Sequence, residues 1–384
     1  MHYFDHCAST PPREEVIQTL AEVMRIHYAN PSSIHQAGAE AGQLIERSRG
    51  LIAKLFKTKP EEWVFTSGGT ESNNLAIRGV AKQFASRGKH LITTMVEHAS
   101  VYETFQQLEQ DGYNVTYLPV DERGVVSIEA LKAALTDETI LVSIMHVNNE
   151  NGAIQPIAEI GRLLKEYPKT LFHVDAVQSI GKLPIELTSW GIDLLSGSAH
   201  KVRGPKGVGI VYIRSGLSIA PLLTGGEQER ALRAGTSNTP AIVASAKAFR
   251  MAMEAAENHN KQWTLLRNQL IDRLSQIPEL IVNSSKDSRH SAPHIVHFSY
   301  PGMKPEVMVH ALEKLGFVVS TKSACSSKDD KPSRVILAMS GDARRAASGI
   351  RISFGDEHTA SDVEQLADAI GRTVADLKPM ERRI

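Results

Sequence analysis

The chain has 384 residues, 42% of them hydrophobic, and its 43 Lys and Arg balance 43 Asp and Glu for a formal net charge of zero. That length accommodates two domains and a large core, while the balanced charge, without runs of like sign, argues against nucleic acid or anionic membrane as a partner. Only two cysteines, Cys7 and Cys325, are present; a reducing, cytoplasmic compartment is expected, and with no basic-then-apolar start and no long apolar stretch the protein is expected to be unexported and without a membrane span.

Short apolar runs alternate with helical periodicity from about residue 62 to residue 215. Strands are predicted at Trp63–Thr66, His90–Thr94, Val115–Leu118, Leu141–Val147, Leu171–Val174, Ile192–Leu195 and Val208–Ile213, with amphipathic helices such as Glu71–Ala85 and Ile157–Tyr167 between several of them. This is the β-α-β rhythm of a mostly parallel sheet covered on both faces. Beyond Thr239-Pro240 a long helix is predicted over Ala241–Ile277, stopped by Pro278. A smaller set follows: strand His294–Ser299, helix Pro305–Leu315, strand Phe317–Ser320, helix Ser333–Met339, strand Ile350–Phe354 and helix Ser361–Leu377. The expected organisation is a large α/β domain over residues 15–260 and a smaller α+β domain from residues 1–14 and 261–384, joined by the long helix.

In an open α/β sheet, ligands gather at the carboxyl ends of the strands. Four segments in such places carry unusual chemistry. TSGGTESNN, residues 66–74, combines a glycine turn, including Gly69, with Thr70 at a helix start; it suits a phosphate on the free helix N–H groups, and a plain glycine turn with a helix cap explains it equally well. FHVDAVQS, residues 172–179, ends a buried strand in Asp175, a costly place for a carboxylate unless it meets a cation, although a helix N-cap is the commoner explanation; Gln178 offers an amide to the same crevice. LLSGSAHKVRGPKGVG, residues 194–209, brings out His200 and Lys201 before a glycine-rich turn. A lysine withdrawn from water becomes a usable amine nucleophile, whereas most lysines are solvated surface residues. TMVEHASV, residues 94–101, sets His98 just past a strand end, where it can stack on an aromatic ring and move protons, or merely start a helix.

Two further observations concern thiols and metals. Cys325 lies among small and charged residues in VSTKSACSSKDDKPSR, residues 319–334, a setting for a reactive, accessible thiol rather than a packed one. His2, His6 and Cys7 are three potential metal ligands without a fourth or a tight spacing, so no metal centre is expected and Cys7 is expected to be packed.

A phosphate cradle, a carboxylate for a pyridinium nitrogen, a stacking histidine and a lysine able to bond an aldehyde together describe pyridoxal 5'-phosphate on an α/β sheet. Through YFDHCASTP, NPSSIH, FTSGGTESNNLAI, VEHASV, ILVSIMHVNNENGAIQPI, HVDAVQSIGKLPI, GSAHKVRGPKGVG, RAGTSN, SACSS and IRISFG, nearly end to end, the chain resembles the NifS/IscS-type cysteine desulfurases, class V aminotransferases of the aspartate aminotransferase-like fold. The resemblance implies that Lys201 holds the cofactor covalently, that Asp175 pairs with its ring nitrogen, that Gln178 and Asn149 meet its phenolic oxygen, and that His98 covers the ring face. It implies phosphate contacts from Gly69, Thr70, Ser198 and His200, with Thr236 supplied by the other subunit of a homodimer, and a grip on the substrate carboxylate by Arg351, helped by Asn149. Catalysis falls to Lys201, His98 and Cys325, whose thiolate takes sulfur from L-cysteine, leaves L-alanine, and carries a persulfide to a protein acceptor serving iron-sulfur cluster assembly or tRNA thiolation. Lys322 stands where that family usually has glycine. Other readings remain open: an aminotransferase or selenocysteine lyase of the same fold would not need Cys325 for ordinary turnover, and a non-catalytic sulfur-transfer scaffold would bind no cofactor.

Overall fold

The computed structural model describes residues 1–321 and 331–380. After the two-residue strand β1 (His2–Tyr3), seven strands form the main sheet: β2 (Trp63–Thr66), β3 (His90–Thr94), β4 (Asn114–Leu118), β5 (Thr139–Ser143), β6 (Leu171–Asp175), β7 (Leu194–Ser198) and β8 (Gly209–Ile213). Their order is β2-β8-β7-β6-β5-β3-β4, and only β8 runs against its neighbours. Strands buried on both faces are written as continuous apolar runs, and their side chains divide by the two-residue period of a strand. Val142, Phe172, Leu195 and Ile210 enter the core on one face, while Leu141, Leu171, Leu194 and Val211 enter the core on the other.

The second core gathers under β10 (Ile295–Ser299) and β12 (Gly349–Ser353), which pair antiparallel, with β9 (Ile281–Val282) on the far edge of β10. The helix Thr239–Leu274 serves both cores: Ala244, Ala248 and Phe249 in its first half join the main-sheet core, and Trp263, Leu266 and Leu270 in its second half join the other. Asn238 caps it through its side chain, accepting from the Ala241 N–H at 3.3 Å.

Several expectations shift in detail. The strand predicted over Leu141–Val147 ends at Ser143. Beyond it Ile144 and His146 still donate backbone bonds to His173 and Asp175, but the chain then folds back, with Gln155 N–H donating to His146 O. Asn148 fixes that bend, donating to Val96 O at 2.8 Å and accepting from the Glu150 and Asn151 N–H groups. The strand predicted at Ile192–Leu195 instead occupies Leu194–Ser198. Small residues are needed there, since a Cβ on Gly197 would stand 2.6 Å from Ile180 Cδ1. In the run Phe317–Ser320 only β11 (Phe317–Val318) is strand, paired parallel with β1, and Ser320 then bridges to Arg351 of β12 through two backbone hydrogen bonds. Two helices, Glu14–Ile26 and Gln36–Leu55, were not expected.

Candidate active site

Five segments that follow strands converge at the carboxyl edge of the main sheet, where Gly69, Thr70, His98, Asn149, Asp175, Gln178, Ser198, His200, Lys201 and Arg351 line one cavity of about 140 Å³. Topology explains the convergence: β2, β3, β5, β6 and β7 point the same way, so the turns after them open on one side.

Lys201 closes a 3-10 turn, Ala199–Lys201, that leaves β7. The N-terminal segment crosses above it, and the Lys201 ammonium donates to Ala8 O at 2.7 Å and also to Cys7 O. Burial lowers its pKa to about 8, so this amine loses its proton far more readily than a surface lysine. Next to it, burial and the neighbouring lysine push the His200 imidazole down to about 4, leaving it neutral.

Asp175 is 4% exposed and ends β6. Its Oδ1 accepts from the Val177 N–H at 3.0 Å and its Oδ2 from Asn73 Nδ2 at 2.8 Å, and among the described residues no cation forms an ion pair with it. The cationic partner expected for a buried carboxylate is thus not supplied by the described chain; two neutral donors hold it. His98 caps the helix Ala99–Gln110, its Nδ1 accepting from the Ser100 N–H at 3.2 Å. Both the cap and the pocket position weighed for it are therefore present. Burial outweighs the opposing pull of Asp175 and lowers its pKa.

Arg351 is 1% exposed and comes from β12. One terminal nitrogen donates to Asn149 O at 2.9 Å and the other to Asp5 Oδ1 at 2.8 Å, while its Nε has no partner among the described residues. Gln178 gives its Nε2 to Cys7 O at 3.0 Å, and its Oε1, like Ser198 Oγ, is buried and has no partner among the described residues. Because both also line the cavity beside Asp175 and Lys201, these two atoms can hydrogen-bond a molecule bound there.

Thr236 is exposed and does not line the cavity of its own chain. Cys325, together with Lys322, lies outside the described residues. Cys7 is packed, with 2% exposure, among Val147, Ala292 and Ile295. Reading the sequence missed Asp5, Asn73 and Ser100 and the carbonyls of Cys7 and Ala8; TESNN and HASV carried the signal for Asn73 and Ser100, but only the fold brings them together.

The metal ligands weighed in sequence are not the ones the fold assembles. His2 pairs with Asp362 at 3.1 Å, whereas His6 meets Glu357 and His358, all three ligand atoms lying within 4.8 Å of one another. Their hydrogen bonds fit a closed side-chain network better than a metal centre. His6 Nε2 approaches Glu357 Oε1 at 2.7 Å, and His358 Nδ1 accepts from the Gly355 N–H at 2.8 Å. A ring accepting through Nδ1 carries its proton on Nε2, the reverse of the arrangement that frees Nε2 for a metal.

An unpaired carboxylate at a strand end, a lysine with a lowered pKa and a glycine-lined helix start fit pyridoxal phosphate, and define the class of protein as an enzyme using that cofactor. A Cβ on Gly69 would stand 2.8 Å from Val177 Cγ2, so only glycine leaves that cradle open. The aminotransferase class-V model matches residues 2–366, and the chain belongs to that family, whose enzymes depend on pyridoxal phosphate. It is 42% identical over 373 residues to a putative cysteine desulfurase IscS 1 of Bacillus subtilis, covering 97% of this chain and 98% of the relative. To a cysteine desulfurase IscS of Dictyoglomus turgidum it is 42% identical over 377 residues, with 98% and 95% covered. A solved NifS-like protein superposes with a TM-score of 0.91 at 39% identity, covering 98% of this chain and all of that one. No helix among the described residues is long and apolar enough to cross a membrane.

Proposed function

We propose that this chain is a cysteine desulfurase that converts L-cysteine to L-alanine and holds the released sulfur as a persulfide on Cys325. The observation that carries the reading is the meeting of Lys201, Asp175 and Arg351 in one cavity, supported by likeness over nearly the whole chain to proteins named cysteine desulfurase. Pyridoxal phosphate supplies an electron sink for the substrate's α carbon. Asp175 holds a compensating negative charge at the strand end, and His98 covers the ring face. Gly69, Thr70, Ser198 and His200 take the phosphate, while Gln178 and Asn149 serve the phenolic oxygen.

Arg351 binds the substrate carboxylate through its planar fork. Lys201, with its low pKa, moves a proton at the α carbon. The Cys325 thiol takes the substrate's sulfur atom: one C–S bond breaks, one S–S bond forms, and the substrate carbon skeleton leaves as alanine.

Exposure of Thr236 away from its own cavity supports a homodimer in which each chain completes the partner's phosphate site. The functional division is a large domain over residues 15–260 and a small domain from residues 1–14 and 261–384, the latter bearing the thiol segment of about residues 320–332. Sulfur passes to a protein acceptor for iron-sulfur cluster assembly or tRNA thiolation, in the cytoplasm, where thiols stay reduced.

The test supplies the purified holoenzyme with L-cysteine and a thiol reductant and follows alanine and sulfide, with Cys325→Ser alongside. Equal alanine and sulfide from the unmodified enzyme, greatly reduced in the variant, are expected. Full activity in Cys325→Ser would favour another enzyme of this fold, and no product from either protein would overturn the assignment.

A further inference from the structure

Asn73 and Ser100 have no part in the reading above, yet they join two of its central groups. Asn73 is 1% exposed on the helix Gly69–Gln83, and Ser100 is 9% exposed on the helix Ala99–Gln110. The Asn73 amide nitrogen lies 2.8 Å from Asp175 Oδ2 and 2.9 Å from Ser100 Oγ, which in turn lies 2.8 Å from His98 Nδ1.

We propose that Asn73 and Ser100 form a hydrogen-bond chain linking Asp175 to His98, its donors running outward from the Asn73 amide nitrogen, that fixes the ring proton of His98 on Nε2. Both are positioning residues. The direction follows from groups at the two ends whose roles are not free. A backbone N–H can only donate, so the Ser100 N–H at 3.2 Å makes His98 Nδ1 an acceptor. At the other end a carboxylate only accepts, so the Asn73 atom facing Asp175 is the amide nitrogen. That nitrogen spends its two protons on Asp175 and on Ser100 Oγ. Ser100 Oγ, already accepting, turns its own proton toward His98 Nδ1. Each link has a single direction that satisfies both of its ends.

The arrangement leaves Asn73 Oδ1 buried and without a partner among the described residues. An unmet buried acceptor is costly, so the amide is oriented by its two donor bonds and not by its carbonyl. A neutral His98 with Nδ1 engaged by the helix end presents Nε2–H as its remaining polar group. Asp175 favours protonation of this ring, while burial and the positive charges of Lys201, Arg334 and Arg351 oppose it. The proton placement stands on geometry alone; its importance for turnover rests on the desulfurase reading.

The test is nitrogen NMR of holoenzyme labelled with 15N-histidine, the His98 signals being assigned with His98→Asn. The expected result at neutral pH is an unprotonated Nδ1 and a protonated Nε2. Ser100→Ala removes a bond made to the neutral ring and is expected to raise the titration midpoint of His98 by roughly one pH unit, with Ser100→Thr restoring it. Alanine formation is expected to slow severalfold in Ser100→Ala with KM little changed. A proton on Nδ1, or a His98 titration unmoved by Ser100→Ala, would overturn the hydrogen-bond chain. The NMR readout needs no turnover, so failure of the desulfurase assignment would show as absent alanine with the tautomer intact.

Discussion

Raising the pH over cofactor-free protein should switch on its reaction with pyridoxal phosphate near pH 8, because that is where Lys201 gives up its proton. Burial is the main cause of the fall from 10.5 to about 8; Arg351 and Lys182 add to it, and Cys7 and Asp5 oppose it. The difference, 10.5 minus about 8, is roughly 2.5 pH units, or about 3 kcal/mol against the charged form. At pH 7.5 roughly a quarter of such amines are free, against about one in a thousand for an ordinary lysine. The carbonyls of Cys7 and Ala8 do not prevent this, since a neutral amine keeps two N–H groups for them and a lone pair for the aldehyde. The assay follows cofactor uptake by absorbance from pH 6 to 10, then reduces with borohydride and locates the label by mass spectrometry. A rate that rises through a midpoint near 8 and levels off, with label on Lys201, is expected. A rate still climbing at pH 10, or label on another lysine, would refute the claim that burial sets this amine's reactivity.

Three other outcomes follow from buried polar groups. Arg49 and Glu229 form a two-pronged pair at 2.7 and 3.0 Å inside the protein, and Glu229 also accepts from the Phe65 N–H; Glu229→Ala leaves Arg49 only Glu46 and Trp63 O to donate to, leaves the Phe65 N–H unmet, and should cost about 1–3 kcal/mol in urea unfolding, a loss below about 0.5 kcal/mol contradicting it. His173 sits between Ser143 and Ser196 with its pKa pushed by burial to about 3. The unfolded chain takes up the proton first, so the stability from this ring is complete above about pH 6.5 and drains as the pH falls toward 3; between pH 6.5 and 5 the loss is about 2 kcal/mol, and unfolding of His173→Gln at a series of pH values should show a flatter profile by that amount. Arg334 donates to Glu97 O at 2.6 Å and to Met95 O and lies 3.6 Å over the Tyr102 ring, tying the helix Arg334–Ser340 to the turn before His98. Arg334→Ala should lower stability by about 1–3 kcal/mol while cofactor absorbance is retained, and loss of the cofactor would show that this contact also shapes the pocket.

Much of the fold was legible because each buried strand carries its own apolar run and each surface helix its own period. The strands at Trp63, His90 and Leu171 begin where the sequence puts them. Leu141–Val147 was read too long because apolar residues continue past Ser143, whereas the bend there is made by the polar side chain of Asn148. Leu194–Ser198 was read too early because Ser196 and Gly197 look like a turn, although the space between Ile180 and Ile210 requires small residues.

By itself the chain determined that an amine, a carboxylate and an imidazole follow strands of a parallel sheet, because local pattern dictates where strands end and which residue comes next. Tertiary structure alone decided what those groups meet. Asn73 reaches Asp175 across 102 positions and Lys201 reaches Ala8 across 193. Hydrogen bonds act over about 3 Å of space whatever the separation in sequence, so the proton on His98 and the acidity of Lys201 are properties of the packed molecule.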